Sequence, residues 1–306
     1  MSNHIKLLLL ATVIAGSSWI LIPTQISSVP YSLSIGYRFI TAGLLILLYC
    51  VKTKVFSKIS LSGHLLLMFQ GLCMYCLAHS LSYNATAYMP TGVIALFLAF
   101  TIVPNTILGT IVSGDKLTLQ FLKGSFMSLI GIVLVFYNDL HKVSPDILSM
   151  IGFSLVVGAM FVSSVGTVLS KVMMRRENYP IMLINGFAML YGGVFSILKH
   201  FMIGGSLVFD FSYSYVLPLI YLSVIVTPLV FGIYLKLAKE VSAGFAGYIW
   251  LFTPVLALNL SIFFEDFQWT IYSLTGTILV VMGGLLSSKK ERKKLLKQSS
   301  HHAAGL

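Results

Sequence analysis

The chain is written twice. Moving the numbering by 150 brings Pro30, Gly36 and Gly43 onto Pro180, Gly186 and Gly193, and also Gly16 onto Gly166, Pro104 onto Pro254 and Asp115 onto Glu265. After a small slip the correspondence resumes at 152, where Gly124 and Gly131 meet Gly276 and Gly283. Any fold must be assembled from two copies of one plan. Ala188 stands where the first copy carries Arg38.

Each copy consists of five apolar stretches. The first holds residues 5–23, 32–51, 63–83, 91–112 and 119–137, the second 147–169, 180–203, 215–235, 243–264 and 269–286. Only 9% of the 306 residues are charged, against about 25% in soluble proteins. At a rise of about 1.5 Å per residue each stretch can cross a hydrocarbon core of about 30 Å as a helix. The sequence thus predicts an all-α polytopic membrane protein of ten transmembrane helices. Residues 1–139 form the first repeat, 140–288 the second, and 289–306 a basic tail.

Because five is odd, the second copy must enter the bilayer from the opposite side, which makes the halves inverted repeats. Charge distribution tests this independently. With the N-terminus inside, seventeen Lys and Arg fall on the inner side and two, Lys142 and Lys199, on the outer. That bias places both termini in the cytoplasm. It also accounts for the net charge of +11, which is therefore no nucleic-acid footprint.

Arg38 is the one basic residue left within a span. An unpaired Arg there costs up to about 3 kcal/mol, so it must meet a wet cavity, backbone carbonyls or an anion. Counting from the span ends puts Trp19, Arg38 and His79 at one depth in the outer half. Arg38 can attract a carboxylate or phosphate through its planar fork, or it can tie helix ends together. His79 has the matching pair of readings, a proton relay or a hydrogen-bonded structural ring. All nine acidic residues fall in loops or at span ends, which leaves coupling through a mid-membrane carboxylate without a candidate. Asp115 and Glu265 are expected to cap the helices that follow them.

Pro104 and Pro254 sit inside the fourth and ninth spans. Each removes a backbone hydrogen bond, so both spans are expected to break, and broken helices are where carriers place substrate. Thr101 and Asn105 flank the first break; Tyr248, Trp250 and Asn259 surround the second. Asn185 and Tyr83 complete the set of polar and aromatic candidates. Cys73 and Cys76 form a C-x-x-C in lipid, where nothing favours thiolate formation. Cys76 and His79 lack the orienting carboxylate an enzyme would need. No enzyme activity, cofactor or metal is expected.

A small-residue and Trp segment (Ala15-Gly16-Ser17-Ser18-Trp19), an Arg early in the second span (Tyr37-Arg38-Phe39), and a Pro in the fourth followed by an acidic residue and then Gly124 and Gly131 together resemble the EamA pattern. That pattern belongs to the drug/metabolite transporter superfamily. Asp115-Lys116 departs from its usual Glu-Arg. The resemblance covers about residues 5–287. It implies a helical basket around a central cavity, with spans five and ten peripheral, and a secondary transporter of a bacterial inner membrane. An amino acid or related amine or carboxylate is the leading substrate and export the favoured direction. A nucleotide-like metabolite such as S-adenosylmethionine is the alternative, and a non-transporting scaffold the next. The expected partners are the small-molecule substrate and lipid. One chain suffices for the cavity, with a dimer as the other reading.

Overall fold

The computed structural model describes residues 3–113, 119–135, 137, 147–240, 246–265 and 268–286. Every regular element among them is helical. In chain order these are α1 (Asn3–Ile20), α2 (Tyr31–Lys52), α3 (Leu61–Ala85), α4 (Thr91–Val112), α5 (Leu119–Val135), α6 (Ile147–Arg176), α7 (Ile181–Met202), α8 (Tyr213–Tyr234), α9 (Tyr248–Phe264) and α10 (Ile271–Leu286). Seven are long and apolar enough to cross a membrane; α5, α9 and α10 are shorter but equally apolar. Each lies on one of the ten expected stretches. The expected repeat boundary, the tail, and Asp115 all fall outside the described residues.

The local chemistry explains where helices begin and bend. Ser60 starts α3 by accepting the Gly63 N–H at 3.1 Å, satisfying one of the four donors a helix start leaves unpaired. Thr270 and Ser273 do the same for α10, each hydroxyl accepting the other residue's N–H. Helix α1 ends at Ile20, and after Leu21 a short helix, Ile22–Ile26, starts with Pro23 in its first turn, where a missing N–H costs nothing. The sixth helix runs beyond its expected end at Leu169 to Arg176.

Two pairs of equivalent helices pack on each other and reveal the symmetry. Between α2 and α7, Gly36 approaches Gly193 and Gly43 approaches Gly186; a β-carbon on Gly43 would stand 2.8 Å from the Gly186 carbonyl oxygen. Between α5 and α10, Gly131 approaches Gly276, with 2.5 Å to its carbonyl for the same added atom, and Gly283 approaches Gly124. In each pair numbers rise along one helix as they fall along the other, so the copies are antiparallel. The repeat correspondence also turns each contact into its partner: Gly36–Gly193 becomes Gly186–Gly43, and Gly131–Gly276 becomes Gly283–Gly124. Contacts that imply each other in this way mark a two-fold axis. Because it relates antiparallel helices, the axis lies across them, as inverted repeats require. Small residues permit this close approach in lipid, where helix association depends on backbone packing.

A second symmetric feature was not visible in the sequence. Residues Leu72–Leu77 of α3 and Tyr221–Val226 of α8 are wound as π-helix, at positions 149 apart. A π turn leaves room between carbonyls, and here side chains five residues on fill it. His79 Nδ1 bonds the Met74 carbonyl at 2.9 Å, and Thr227 Oγ1 donates to the Leu222 carbonyl at 2.9 Å. Such segments concentrate at functional sites.

The two prolines behave differently. Helix α4 breaks between Ala99 and Ile102, as expected, because Pro104 cannot bond the Phe100 carbonyl, which instead accepts the Val103 N–H at 2.9 Å. Helix α9 does not break at Pro254. It is continuous from Tyr248 to Phe264, and the irregular turn falls at Gly247 instead.

Candidate functional site

Four expected residues from three helices of the first repeat converge. Arg38 Nη1 donates to the Tyr83 hydroxyl at 3.2 Å, joining α2 to α3. Its guanidinium carbon lies 5.1 Å from the Phe39 ring centre, and the Phe39 ring meets His79 edge-on at 4.5 Å. Tyr75 stacks beside His79 at 6.1 Å. Trp19, from the end of α1, packs against the same cluster of Phe39, Tyr75 and Tyr83. Of the residues that depth counting puts in one layer, Arg38 and His79 both lie against Phe39, and Trp19 packs on the cluster that contains it.

The electrostatics of this cluster is one-sided. Arg38 is half-buried, its Nε has no hydrogen-bond partner, and no carboxylate among the described residues pairs with it. Tyr83, 1% exposed, supplies one neutral acceptor for a group with five donors. A guanidinium so placed retains donors for a planar anion. In the second repeat Ala188 occupies the equivalent place, fully buried against α3 near Gly71. The charge therefore has no counterpart across the two-fold.

His79 is committed more narrowly. A carbonyl only accepts, so its bond to Met74 requires the proton on Nδ1. That fixes the tautomer and the ring, and Nε2 remains as an acceptor.

From the second repeat, Trp250 is 45% exposed, with ring centres 6.4 Å from Phe231 and 6.3 Å from Tyr234. Phe231 in turn packs against the buried cluster that includes Phe39 and Tyr83, which puts Trp250 two side chains from that cluster. Tyr248 lies 6.1 Å from Phe252 at the same end of α9. Phe231 and Tyr75 were missed by sequence reasoning, since an aromatic residue within a span carries no mark that separates cavity lining from core. A further link across the repeats joins Ser17 to the Tyr221 hydroxyl at 2.8 Å.

At the α4 break, Asn105 N–H bonds the Thr101 carbonyl at 3.0 Å. Asn105 Oδ1 is buried without a partner.

Two expected residues stand apart. Asn185 is 4% exposed; its Oδ1 accepts from the Tyr75 hydroxyl at 2.9 Å, joining α3 to α7, and its Nδ2 donates to the Ile181 carbonyl one turn back in α7, so both ends are used. Asn259 is exposed on the far face of α9 and bonds Val255. With Phe252, Trp269 and Thr277 it lines a cavity of about 430 Å³ between α9 and α10. That space opens at the helix pair furthest from the Arg38 cluster in sequence, and apart from Asn259, Thr277 and the Trp269 N–H its lining is apolar.

Glu265 corrects a further expectation. It does not cap α10, which Thr270 and Ser273 serve. Its carboxylate instead reaches the first residue of α4, accepting the Thr91 N–H and hydroxyl, each at 2.9 Å.

With this geometry in hand, the comparisons with known proteins agree. The chain matches the EamA-like transporter family over residues 3–137 and 150–289. A relative from Escherichia coli (strain K12), named "Probable amino-acid metabolite efflux pump", is 22% identical over 289 residues, covering 90% of this chain and 92% of that one. One from Bacillus subtilis (strain 168), named "Uncharacterized transporter YetK", is 24% identical over 296 residues, covering 90% and 83%. A crystal structure 15% identical superposes with a TM-score of 0.63 over 94% of this chain and 97% of that one, which shows a shared fold.

Proposed function

Since the chain belongs to the EamA-like transporter family, we propose that it is a secondary carrier of a bacterial inner membrane exporting a small amphipathic carboxylate, foremost an amino acid or a close relative. The half-buried Arg38 with an unpartnered Nε is the observation that carries this reading. Its free donors suit a carboxylate, and the Trp19, Tyr83 and His79 rings around it suit an apolar side chain. The name of the Escherichia coli relative points to the same class.

The inverted repeat supports alternating access. Two halves of like structure can exchange conformations, opening the site to either side in turn. Both termini lie in the cytoplasm on the evidence of the charge bias. Because the sequence assigns all nine acidic residues to loops or span ends, exchange or facilitated flux is favoured over coupling through a carboxylate.

Trp250 favours one further substrate group. Its exposed indole beside Tyr234 can stack on a flat ring, so aromatic amino acids should bind better than aliphatic ones. A nucleotide-like carboxylate is the competing occupant. The test is a binding screen on purified protein, read by tryptophan fluorescence, against amino acids, their amides and nucleotides. The reading predicts that an amino acid quenches fluorescence and its amide does not. Binding of amide and acid alike would refute the role of Arg38.

A further inference from the structure

The start of α4 and the end of α9 are fastened together by one oxygen. Glu265 Oε2 accepts the Thr91 N–H at 2.9 Å, the Thr91 hydroxyl at 2.9 Å and the Ser261 hydroxyl at 2.7 Å. Beside it the Gly92 N–H donates to Ser261 Oγ at 3.0 Å. The helices touch backbone to backbone here: a β-carbon on Gly92 would stand 2.5 Å from the Leu258 Cα. Thr91 belongs to the first repeat and Glu265 to the second, 174 residues away.

The way α4 is capped gives this contact its meaning. A helix start leaves four N–H groups unpaired and carries partial positive charge, and most helices satisfy it locally with Ser, Thr, Asp or Asn. Helix α4 has Pro90 at its N-cap, which offers no side-chain acceptor. The Val93 N–H finds the Pro90 carbonyl at 3.0 Å, while the side chains that cap the first two N–H groups, on Thr91 and Gly92, both come from the opposite repeat. A local cap stays with its helix through any rigid-body motion, whereas a cap from the other half exists only while the halves are together.

We propose that Glu265 is a detachable cap that holds the outer ends of α4 and α9 shut and leaves Thr91 when the carrier opens to that side. The proposal rests on the alternating-access reading and on the membrane orientation above. The structure is accordingly in a state closed at this end. Glycine at position 92 is what allows the closed contact, because any side chain there must wedge the two helices apart.

Double electron–electron resonance on the purified, reconstituted protein tests this without a substrate. Spin labels go on Ala87→Cys, in the exposed turn leading into α4, and on Phe264→Cys, exposed at the end of α9. The buried Cys50, Cys73 and Cys76 are replaced by Ala. With Glu265 present the distance should form one short population. Glu265→Ala and Gly92→Ala should each add a longer one, and Glu265→Gln a smaller share of it. Should Glu265→Ala fail to fold, Thr91→Val, which deletes one of the three donors, is read in its place. An unchanged distance in folded Glu265→Ala and Gly92→Ala protein would overturn the latch. Failure of the unaltered protein to transport any solute would instead sink the carrier reading, and the distance result would stand apart from it.

Discussion

Arg38 can be shown to serve a ligand and not the fold by a double-mutant cycle with Tyr83. Arg38→Ala removes the partner of a hydroxyl on a residue only 1% exposed. An unpaired buried polar group costs about 1–3 kcal/mol, so this variant should unfold at a lower temperature. Tyr83→Phe deletes the hydroxyl itself, and the half-buried guanidinium can rehydrate; the cost should stay near about 1 kcal/mol. In the double variant neither group is orphaned. Its destabilisation should therefore fall short of the sum of the singles, with a coupling of about 0.5–3 kcal/mol as for contacting residues. Affinity behaves differently. Losing a charge-assisted contact of about 1.5–3 kcal/mol weakens the Kd roughly ten- to hundredfold, in Arg38→Ala and in the double variant alike, while Tyr83→Phe changes it little. Thermal unfolding and ligand titration of the four proteins read both cycles. If the double variant regained stability and also retained full affinity, the ligand role would be refuted and Arg38 would be a structural tie.

The glycine seam offers a contrast between two alanines. Gly131→Ala puts a methyl against the Gly276 carbonyl and should destabilise by about 1–3 kcal/mol; Gly232→Ala meets nothing within 4 Å and should be neutral or gain up to about 1 kcal/mol, as thermal unfolding of both would show. Asn259→Ala, on the α9–α10 face, should leave substrate affinity unchanged in the same titration that detects Arg38→Ala. In the loop before α8, hydrogen bonds from Ser28 and then Ser212 hold the Asp210 carboxyl below its usual range. A lowered folded-state pKa gives stabilisation that is present above the unfolded pKa and lost as pH falls through the folded one. The protection factor of the Ser212 amide should thus hold at mildly acidic pH and fall only below the ordinary carboxylate range, and Asp210→Asn should abolish that fall.

What could be read from the sequence followed from period and count. Spacing of Gly36, Gly43, Gly186 and Gly193 contains the two-fold seam, because close packing in lipid needs small residues at matched places. Depth along a helix is simply residues times rise, which is why Trp19, Arg38 and His79 were found in one layer. Facing is a separate matter. Asn259 shares its side of α9 with Phe252 and Val255, while Thr253, Ala257 and Ser261 at spacings of four form the buried side toward α1 and α4; depth alone could not separate them. Pro254 costs α9 one backbone bond and crowds the Trp250 carbonyl, yet the helix stays continuous from Tyr248 to Phe264 and the irregular turn falls at Gly247. Glu265 could not be assigned from local sequence, since its partner Thr91 arrives from the other repeat. The π turns have no sequence signal in α3 at all; in α8 Pro228 lies two residues past the segment and lacks the N–H that would have closed an ordinary turn onto Val224.

Counterflow tests the central claim most directly. Liposomes bearing the purified protein are loaded with an unlabelled amino acid from the binding screen and diluted into a trace of the labelled compound. The account predicts transient accumulation of label that depends on the internal load and is lost in Arg38→Ala protein that remains folded. Accumulation undiminished in Arg38→Ala, or none with any ligand that binds the unaltered protein, would contradict it.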